Sequence, residues 1–317
     1  MNGPNVLVIR LGAMGDIVAA LPAVASLKHS IPRSKITWVV EHAWVDLLES
    51  NPYVDAVVAL ERRTWAGLKQ AWRDLRAQRF DVGVDFQGLI KSALVAAVAR
   101  PDRIFGYGPA LVREPAASWF YSTRVSSAAQ HVVDQNLDLA AAAGATSILR
   151  TFPLPAGLPE GQLPEGDFVL ASPLAGWPAK QWPLEYFADL AAMIRREWGI
   201  PLVLNAPHAL ECPGVETQVS GLRGLIHATR RALAVVGVDS GPLHLAAALG
   251  KPGVAIYGPT DPARNGPYGG TITVLREAAA VTTYKRNALH DSSMQAIRPA
   301  QVFETLQTVL SAAGKRG

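Results

Sequence analysis

Apolar and polar positions along this chain fall into two alternating patterns. Short, nearly continuous apolar runs bounded by glycine, proline or charge are followed by longer stretches in which apolar residues recur every three or four positions. In the first half, "NVLVIR" (5–10), "ITWVVE" (36–41), "DAVVAL" (55–60) and "DVGVDF" (81–86) predict strands. The stretch Ile17 to Lys28, the run carrying Trp65, Leu68, Trp72 and Leu75, and "GLIKSALVAAVA" (88–99) predict helices. The Trp and Leu stripe reads as a core-facing side. Repeated strand–helix units of this length imply a parallel sheet covered by helices on both faces.

Residues 151–166, "TFPLPAGLPEGQLPEG", carry four prolines and three glycines without periodicity and predict a linker. The alternation then restarts with "DFVLAS" (167–172), a helix from about Pro183 to Trp198, "PLVLNA" (201–206), "LAVVGVDS" (233–240), "GPLHLAAALG" (241–250) and "PGVAIYG" (252–258). An amphipathic stretch closes the chain. Two α/β domains are expected, 1–155 and 165–298, each a doubly wound parallel sheet, with the helix of about 299–317 able to pack back on the first. Open parallel sheets bind ligands outside the carboxyl ends of their strands, so two in tandem predict a shared cleft.

Composition changes this picture little. The chain has 317 residues, 49% apolar and 18% charged, the balance of an ordinary globular protein. Its one cysteine, Cys212, excludes an intramolecular disulfide. The apolar start is interrupted by Arg10 and Asp16, which argues against a signal peptide, and no uncharged run is long enough to span a bilayer. A cytoplasmic protein is expected, with a peripheral place on a membrane surface left open. The net charge of +4 suits anionic small molecules, anionic lipid or nucleic acid, and chooses none of them.

Candidate chemistry begins at "RLGAMGDIVAALPAV" (10–24), where Gly12 and Gly15 lead into a helix start occupied by Asp16. The spacing is neither the dinucleotide fingerprint nor a P-loop, which speaks against a hydride-transfer enzyme or an NTPase. Asp16 reads as a helix cap, or as a carboxylate kept ionised by the helix start so that it accepts a proton from an incoming hydroxyl; both can hold at once. The most specific signal is "VVGVDSGPLHLAAALGKPGVAIYGPTDP" (235–262). There a strand ends at Asp239, Ser240 and Gly241 turn the chain, Pro242 opens a helix and His244 lies one turn in. The turn amides and helix dipole predict an anion pocket suited to a diphosphate. In "AGWPAKQWP", Lys180 stands just before a helix start, where a cation opposes the dipole and either needs an anionic partner or is a solvated surface lysine.

The run "ERRTWAGLKQAWRDLRAQRF" (61–80) holds six cationic and two acidic side chains, a solvated face or a cationic lip for an anionic acceptor or membrane surface. The seven histidines form no paired metal motif, and there is no Asp-x-Asp dyad, so no metal or other cofactor is expected. A serine hydrolase would need the absent G-x-S-x-G elbow.

Together, "VLVIRLGAMGDIVAALPA", "DFQGLIKSA", "REPAASWFY" and "VGVDSGPLHLAAALGKPGVAIYGPTDP" resemble the bacterial lipopolysaccharide heptosyltransferases over nearly the whole chain. The middle two look most like the heptosyltransferases of the first type, which add the first heptose to the Kdo of the inner core. The resemblance implies a GT-B fold, two Rossmann-like domains facing a central cleft, with a Kdo-lipid A acceptor on the first and ADP-heptose on the second. It also implies inverting, metal-independent transfer without a nucleic-acid partner. Residue by residue it makes Asp16 the catalytic base and puts Lys180 on the donor diphosphate. Asp239, Ser240, Gly241, Pro242 and His244 become the donor loop, and Gly15, Arg62, Arg63, Gln87, Arg113 and His131 surround the acceptor. The chain departs from the family at Ala209, where a ribose-holding glutamate is usual; Glu211, two residues on, is the acid at hand. Ala175 and Gly176 replace family threonines, leaving backbone amides or Ser172 in their stead. Another GT-B glycosyltransferase using a different sugar nucleotide, or a non-catalytic sugar-nucleotide-binding protein, are the alternatives.

Overall fold

The computed structural model describes residues 3–283 and 291–314. The chain divides into two compact units, Met1–Pro155 and Ala156–Gly317. The first contains β1 (Asn5–Ile9), α1 (Met14–Ser30), β2 (Lys35–Glu41), β3 (Ala56–Leu60), α2 (Trp65–Arg76), β4 (Val82–Asp85), α3 (Ile90–Ala99), β5 (Arg103–Tyr107), β6 (Thr123–Val125) and α4 (Val132–Ala142). Its strands form one parallel sheet in the order β3-β2-β1-β4-β5-β6. Leu7, Ile9, Val39 and Val58 of the sheet are buried with Leu75 and Ala96 of its helices, which is why β1 and β2 read as continuous apolar runs.

The second unit contains β7 (Val169–Ser172), α5 (Leu184–Trp198), β8 (Leu202–Ala206), β9 (Glu216–Val219), α6 (Leu222–Arg231), β10 (Ala234–Val238), α7 (Gly241–Ala248), β11 (Gly253–Tyr257), α8 (Pro262–Asn265), β12 (Ile272–Arg276), α9 (Ser292–Ala296) and α10 (Pro299–Gly314). Its parallel sheet runs β12-β11-β10-β7-β8-β9. Numbered from its own first strand, this is the same order as in the first unit. Both sheets therefore reverse beside their first strand, between β1 and β4 and between β7 and β10. Those reversals open a crevice at the carboxyl ends of the strands, where ligands bind in such folds.

Two expectations are corrected. Helix α10 belongs to the second unit, where Val302, Phe303 and Leu306 join a core with Phe187, Leu190 and Ile256. The stripe on α2 is not one core-facing side either. Leu75 and Ala71 are buried, while Trp65, Leu68 and Trp72 are exposed, because the helix rests on β3 and α3 by the narrow Ala71–Leu75 edge alone.

The proline- and glycine-rich segment 151–166 is pinned on both sides of the unit boundary. Asn51 Nδ2 donates to Pro153 O (2.9 Å), Leu158 N donates to Arg223 O (3.1 Å), and Gln218 Nε2 donates to Glu160 O (2.8 Å). Gly157 has φ +76°, and a Cβ there would fall 2.5 Å from Arg223 O, so the crossing over α6 needs glycine. Among the described residues, no helix is long and apolar enough to cross a membrane.

Candidate functional site

In the first unit, the chain leaves β1 at Arg10 and enters α1 at Met14, with Ala13 as the N-cap. Asp16 is thus the third helical residue rather than the cap. Its Oδ2 accepts from Ala13 N (3.2 Å), satisfying one of the amides left over at the helix start. Its Oδ1 lies 2.7 Å from Arg10 Nη2, and the carboxylate remains 45% exposed. Arg10 is only 6% exposed. Its Nη1 donates to Phe86 O (2.5 Å), while the buried Nε has no partner among the described residues. Asp16 therefore secures the helix start from its third position while its side chain stays partly open to solvent.

The loop after β4 completes this half. Leu11 N donates to Gln87 Oε1 (2.8 Å), so Gln87 joins the ends of β1 and β4 across the strand reversal. Beneath it, the buried Asp85 accepts from Gln87 N, Ser92 Oγ and Tyr121 Oη, each at 2.8 Å. Burial raises the Asp85 carboxyl above its ordinary value, against the lowering effect of these donors, and the Tyr121 phenol is likewise raised by burial and by Asp85. Gly88, at φ +67°, turns this loop where a Cβ would meet Val112 Cγ1 at 2.6 Å.

In the second unit, Asp239 follows β10 directly. Its Oδ2 accepts from Lys180 Nζ (2.6 Å) and Thr260 Oγ1 (2.7 Å), and its Oδ1 lies 3.8 Å from His244 Nε2. Burial would raise this carboxyl, but His244 and Lys180 overcome that and hold it well below the usual carboxylate range. Burial, with Asp239 nearby, holds the Tyr257 phenol well above its ordinary value. Lys180 ends a 3-10 turn, 4.4 Å above the Trp177 ring. That turn is anchored by Trp182, which is buried, packs edge-on against Phe187 (4.8 Å) and donates from Nε1 to Ile297 O (2.9 Å).

Ser240 is the N-cap of α7, followed by Gly241 and Pro242 in the first turn. Its hydroxyl does not bond the helix amides, and Oγ is buried without a partner among the described residues. A buried hydroxyl, a set of helix-start amides, a lysine and a histidine thus gather at one place, a chemistry that recognises phosphate oxygens. Ser172 ends β7, which pairs directly with β10, so it borders the same crevice.

The remaining predicted residues are placed differently. Glu211 is exposed on the loop between β8 and β9. Gly15 sits in the first turn of α1, next to Asp16. Arg62 Nε pairs with Glu41 Oε1 (2.9 Å), at the end of β2, and Lys91 Nζ reaches the same oxygen at 3.5 Å. Arg63 and Arg113 are exposed. His131 is the N-cap of α4, its Nδ1 accepting from Val133 N (3.2 Å). His290 lies outside the described residues. Among the described residues, no three His, Cys, Asp or Glu side chains gather as a metal ligand set.

Sequence reasoning missed Arg10, Glu41, Asp85 and Thr260. Arg10 alone carried a signal, a cation inside an otherwise apolar strand run.

Comparison with known proteins places the chain as a whole. The sequence profile of glycosyltransferase family 9 (heptosyltransferase) matches residues 68–292. The chain is 31% identical over 297 residues to lipopolysaccharide heptosyltransferase 1 of Pseudomonas aeruginosa, covering 84% of this chain and 81% of that one. It is 29% identical over 310 residues to lipopolysaccharide heptosyltransferase 1 of Escherichia coli, covering 86% and 93%. Among solved structures, the E. coli heptosyltransferase WaaC with ADP-2-deoxy-2-fluoro heptose superposes with a TM-score of 0.77 at 26% identity, covering 96% of this chain and 99% of that one. Like those structures, this chain carries two α/β units of the GT-B class.

Proposed function

The chain belongs to glycosyltransferase family 9, the heptosyltransferases, and from that membership we propose that it moves L-glycero-D-manno-heptose from ADP-heptose to the Kdo of a lipid A-linked inner core, with inversion and without a metal. The observation that carries the donor half of this reading is the Lys180–Asp239–Thr260–His244 cluster beside the partnerless Ser240 hydroxyl at the start of α7. A diphosphate meets two cationic or donor side chains there, together with the first-turn amides of α7 and a hydroxyl that has no partner among the described residues.

On this reading, Asp16 accepts the proton of the Kdo hydroxyl as its oxygen attacks the anomeric carbon of the heptose. The bond from that carbon to the β-phosphate oxygen breaks on the opposite face, and its electron pair leaves with ADP. Lys180, His244, Ser240 and the α7 amides stabilise the growing negative charge on the leaving oxygen, the task a metal performs in other sugar-nucleotide transferases. Arg10 fixes the Asp16 carboxylate by Oδ1 and Ala13 N holds its Oδ2, while the side chain stays 45% exposed to an incoming acceptor. Arg62, Arg63, Arg113, Gln87, Gly15 and His131 serve the anionic acceptor, and Ser172 and Glu211 the nucleotide. Such an enzyme works in the cytoplasm, on a substrate carried by the inner membrane.

The test is thermal stabilisation by ADP-, UDP- and GDP-sugars, followed by turnover of Asp16→Asn. ADP-heptose at about 100 times its dissociation constant is expected to add ~2.7 kcal/mol. Stronger stabilisation by a uridine or guanosine donor overturns the assignment. Asp16→Asn is expected to keep donor affinity and lose at least roughly 100-fold in kcat, the scale of general base catalysis. Unchanged turnover reduces Asp16 to a helix-start residue.

A further inference from the structure

Helix α2 exposes what a soluble helix ordinarily hides. Trp65 is 88% exposed and Trp72 54%, and both lie in the most basic stretch of the chain. At about 100° per residue, the two tryptophans point within about 20° of each other. Arg76 and Lys69 fall within about 40° of Trp65 on the same side, Leu68 within about 60°, and Arg73 about 80° away. All are exposed. The helix holds to its unit by Ala71 and Leu75, and its start is fixed by Thr64, whose Oγ1 accepts from Gly67 N (3.1 Å). Its one acid, Asp74, lies on the far side, about 180° from Trp65, held by Gln70 Nε2 at 2.8 Å. Indole rings interleaved with cations, and acid kept away, therefore make a fixed outward face.

We propose that this face of α2 seats the protein on an anionic bilayer, with Trp65 and Trp72 at headgroup depth and Lys69, Arg73 and Arg76 on lipid phosphates. Tryptophan favours the headgroup region because its ring is apolar and its N–H wants a polar partner. Basic side chains beside it gain from the negative surface potential. At 12 residues, the helix is far too short to span a bilayer, so it lies in the plane of the interface. Two neighbouring elements also expose apolar side chains. Helix α3 touches both α2 and the turn 115–120, and these carry the exposed Leu94 and Trp119. A second copy of the chain is the poorer occupant, because a two-fold contact would set the three cations against themselves. This inference rests on the exposed face and not on the transfer reaction.

The test is co-sedimentation of the full chain, without donor or acceptor, with vesicles of equal parts phosphatidylethanolamine and phosphatidylglycerol, and with phosphatidylcholine vesicles. Binding to the anionic vesicles is expected, weakening as salt is raised, with a blue shift of tryptophan emission and quenching by brominated lipid. Trp65→Ser/Trp72→Ser and, separately, Arg73→Glu/Arg76→Glu are each expected to weaken partitioning roughly tenfold or more, with the melting temperature unchanged. The brominated-lipid measurement needs no variant and stands if either fails to fold. Absence of wild-type binding, equal binding to neutral vesicles, or unaltered binding by both variants overturns the proposal. So does a dimer that Trp65→Ser/Trp72→Ser dissociates while vesicles go unbound.

Discussion

Arg10 is a buried cation directly after β1, and its two bonded nitrogens span Phe86 O and the Asp16 carboxylate. A charged donor in a buried position makes bonds worth about 1.5–3 kcal/mol each, enough to hold one rotamer of Asp16 against alternatives. Arg10→Ala is therefore expected to lower kcat roughly tenfold or more while the KM for donor changes little, since the donor cluster lies on other residues. Added guanidinium, which fits the space left, should restore part of that kcat, an effect that a general loss of stability cannot produce. Equal losses in kcat and donor KM, without rescue, would contradict the positioning role. At this scale the sequence was readable where neighbours along the chain make the site. Asp16 at its helix start and the run from Asp239 to His244 needed only turn chemistry. Arg10 meets Phe86 across 76 positions, and Thr260 meets Asp239 across 21, and no local pattern announces such pairs.

The elements whose burial is continuous were equally readable: β1, β2, β8, β10 and β11 are apolar because both their faces are covered. Strand β9, "ETQV", is an edge strand with one buried residue and shows no recognisable period, whereas α6 has an apolar side carrying Leu225, Ile226 and Ala228 but is short and rich in arginine. Helix α2 misled in the opposite sense, since its period was real but belonged to an outward face. The loop after β4 is held by Asp85, which gives this element a pH signature. Burial raises the folded carboxyl above the ordinary value, so the folded chain binds its proton more readily than the unfolded one. Stability from this group is then full in acid below the unfolded value and declines as pH rises through the folded value. Asp85→Asn cannot ionise, and its amide N–H₂ confronts groups that are themselves donors. The variant should be less stable by about 1–3 kcal/mol, the gap to wild type being widest in acid and narrowing with rising pH. Urea unfolding of both chains across a pH series measures this, and a gap that widens with pH would refute it.

For the whole molecule, the two sheets share a strand order, and each sets different chemistry after its strands: a carboxylate held by arginine in the first unit, and a lysine and a histidine around Asp239 in the second. ADP alone should therefore slow amide hydrogen exchange first at 177–183 and 239–245, whatever it does elsewhere. Protection concentrated at 11–17 and 85–89 instead would reverse the division of labour between the units. The duplicated α/β architecture was legible because strand–helix alternation restarts after the linker.

All six strands of the first sheet come from the first 155 residues, and none is borrowed from the second half. A ribosome adding about 5–20 residues per second takes on the order of ten seconds or more to make the rest, so the first unit can be complete while the second is still being synthesised. The tryptophan-bearing face of α2 would then already be formed on the nascent chain, and the proposed seat on the bilayer would be available before the second unit exists.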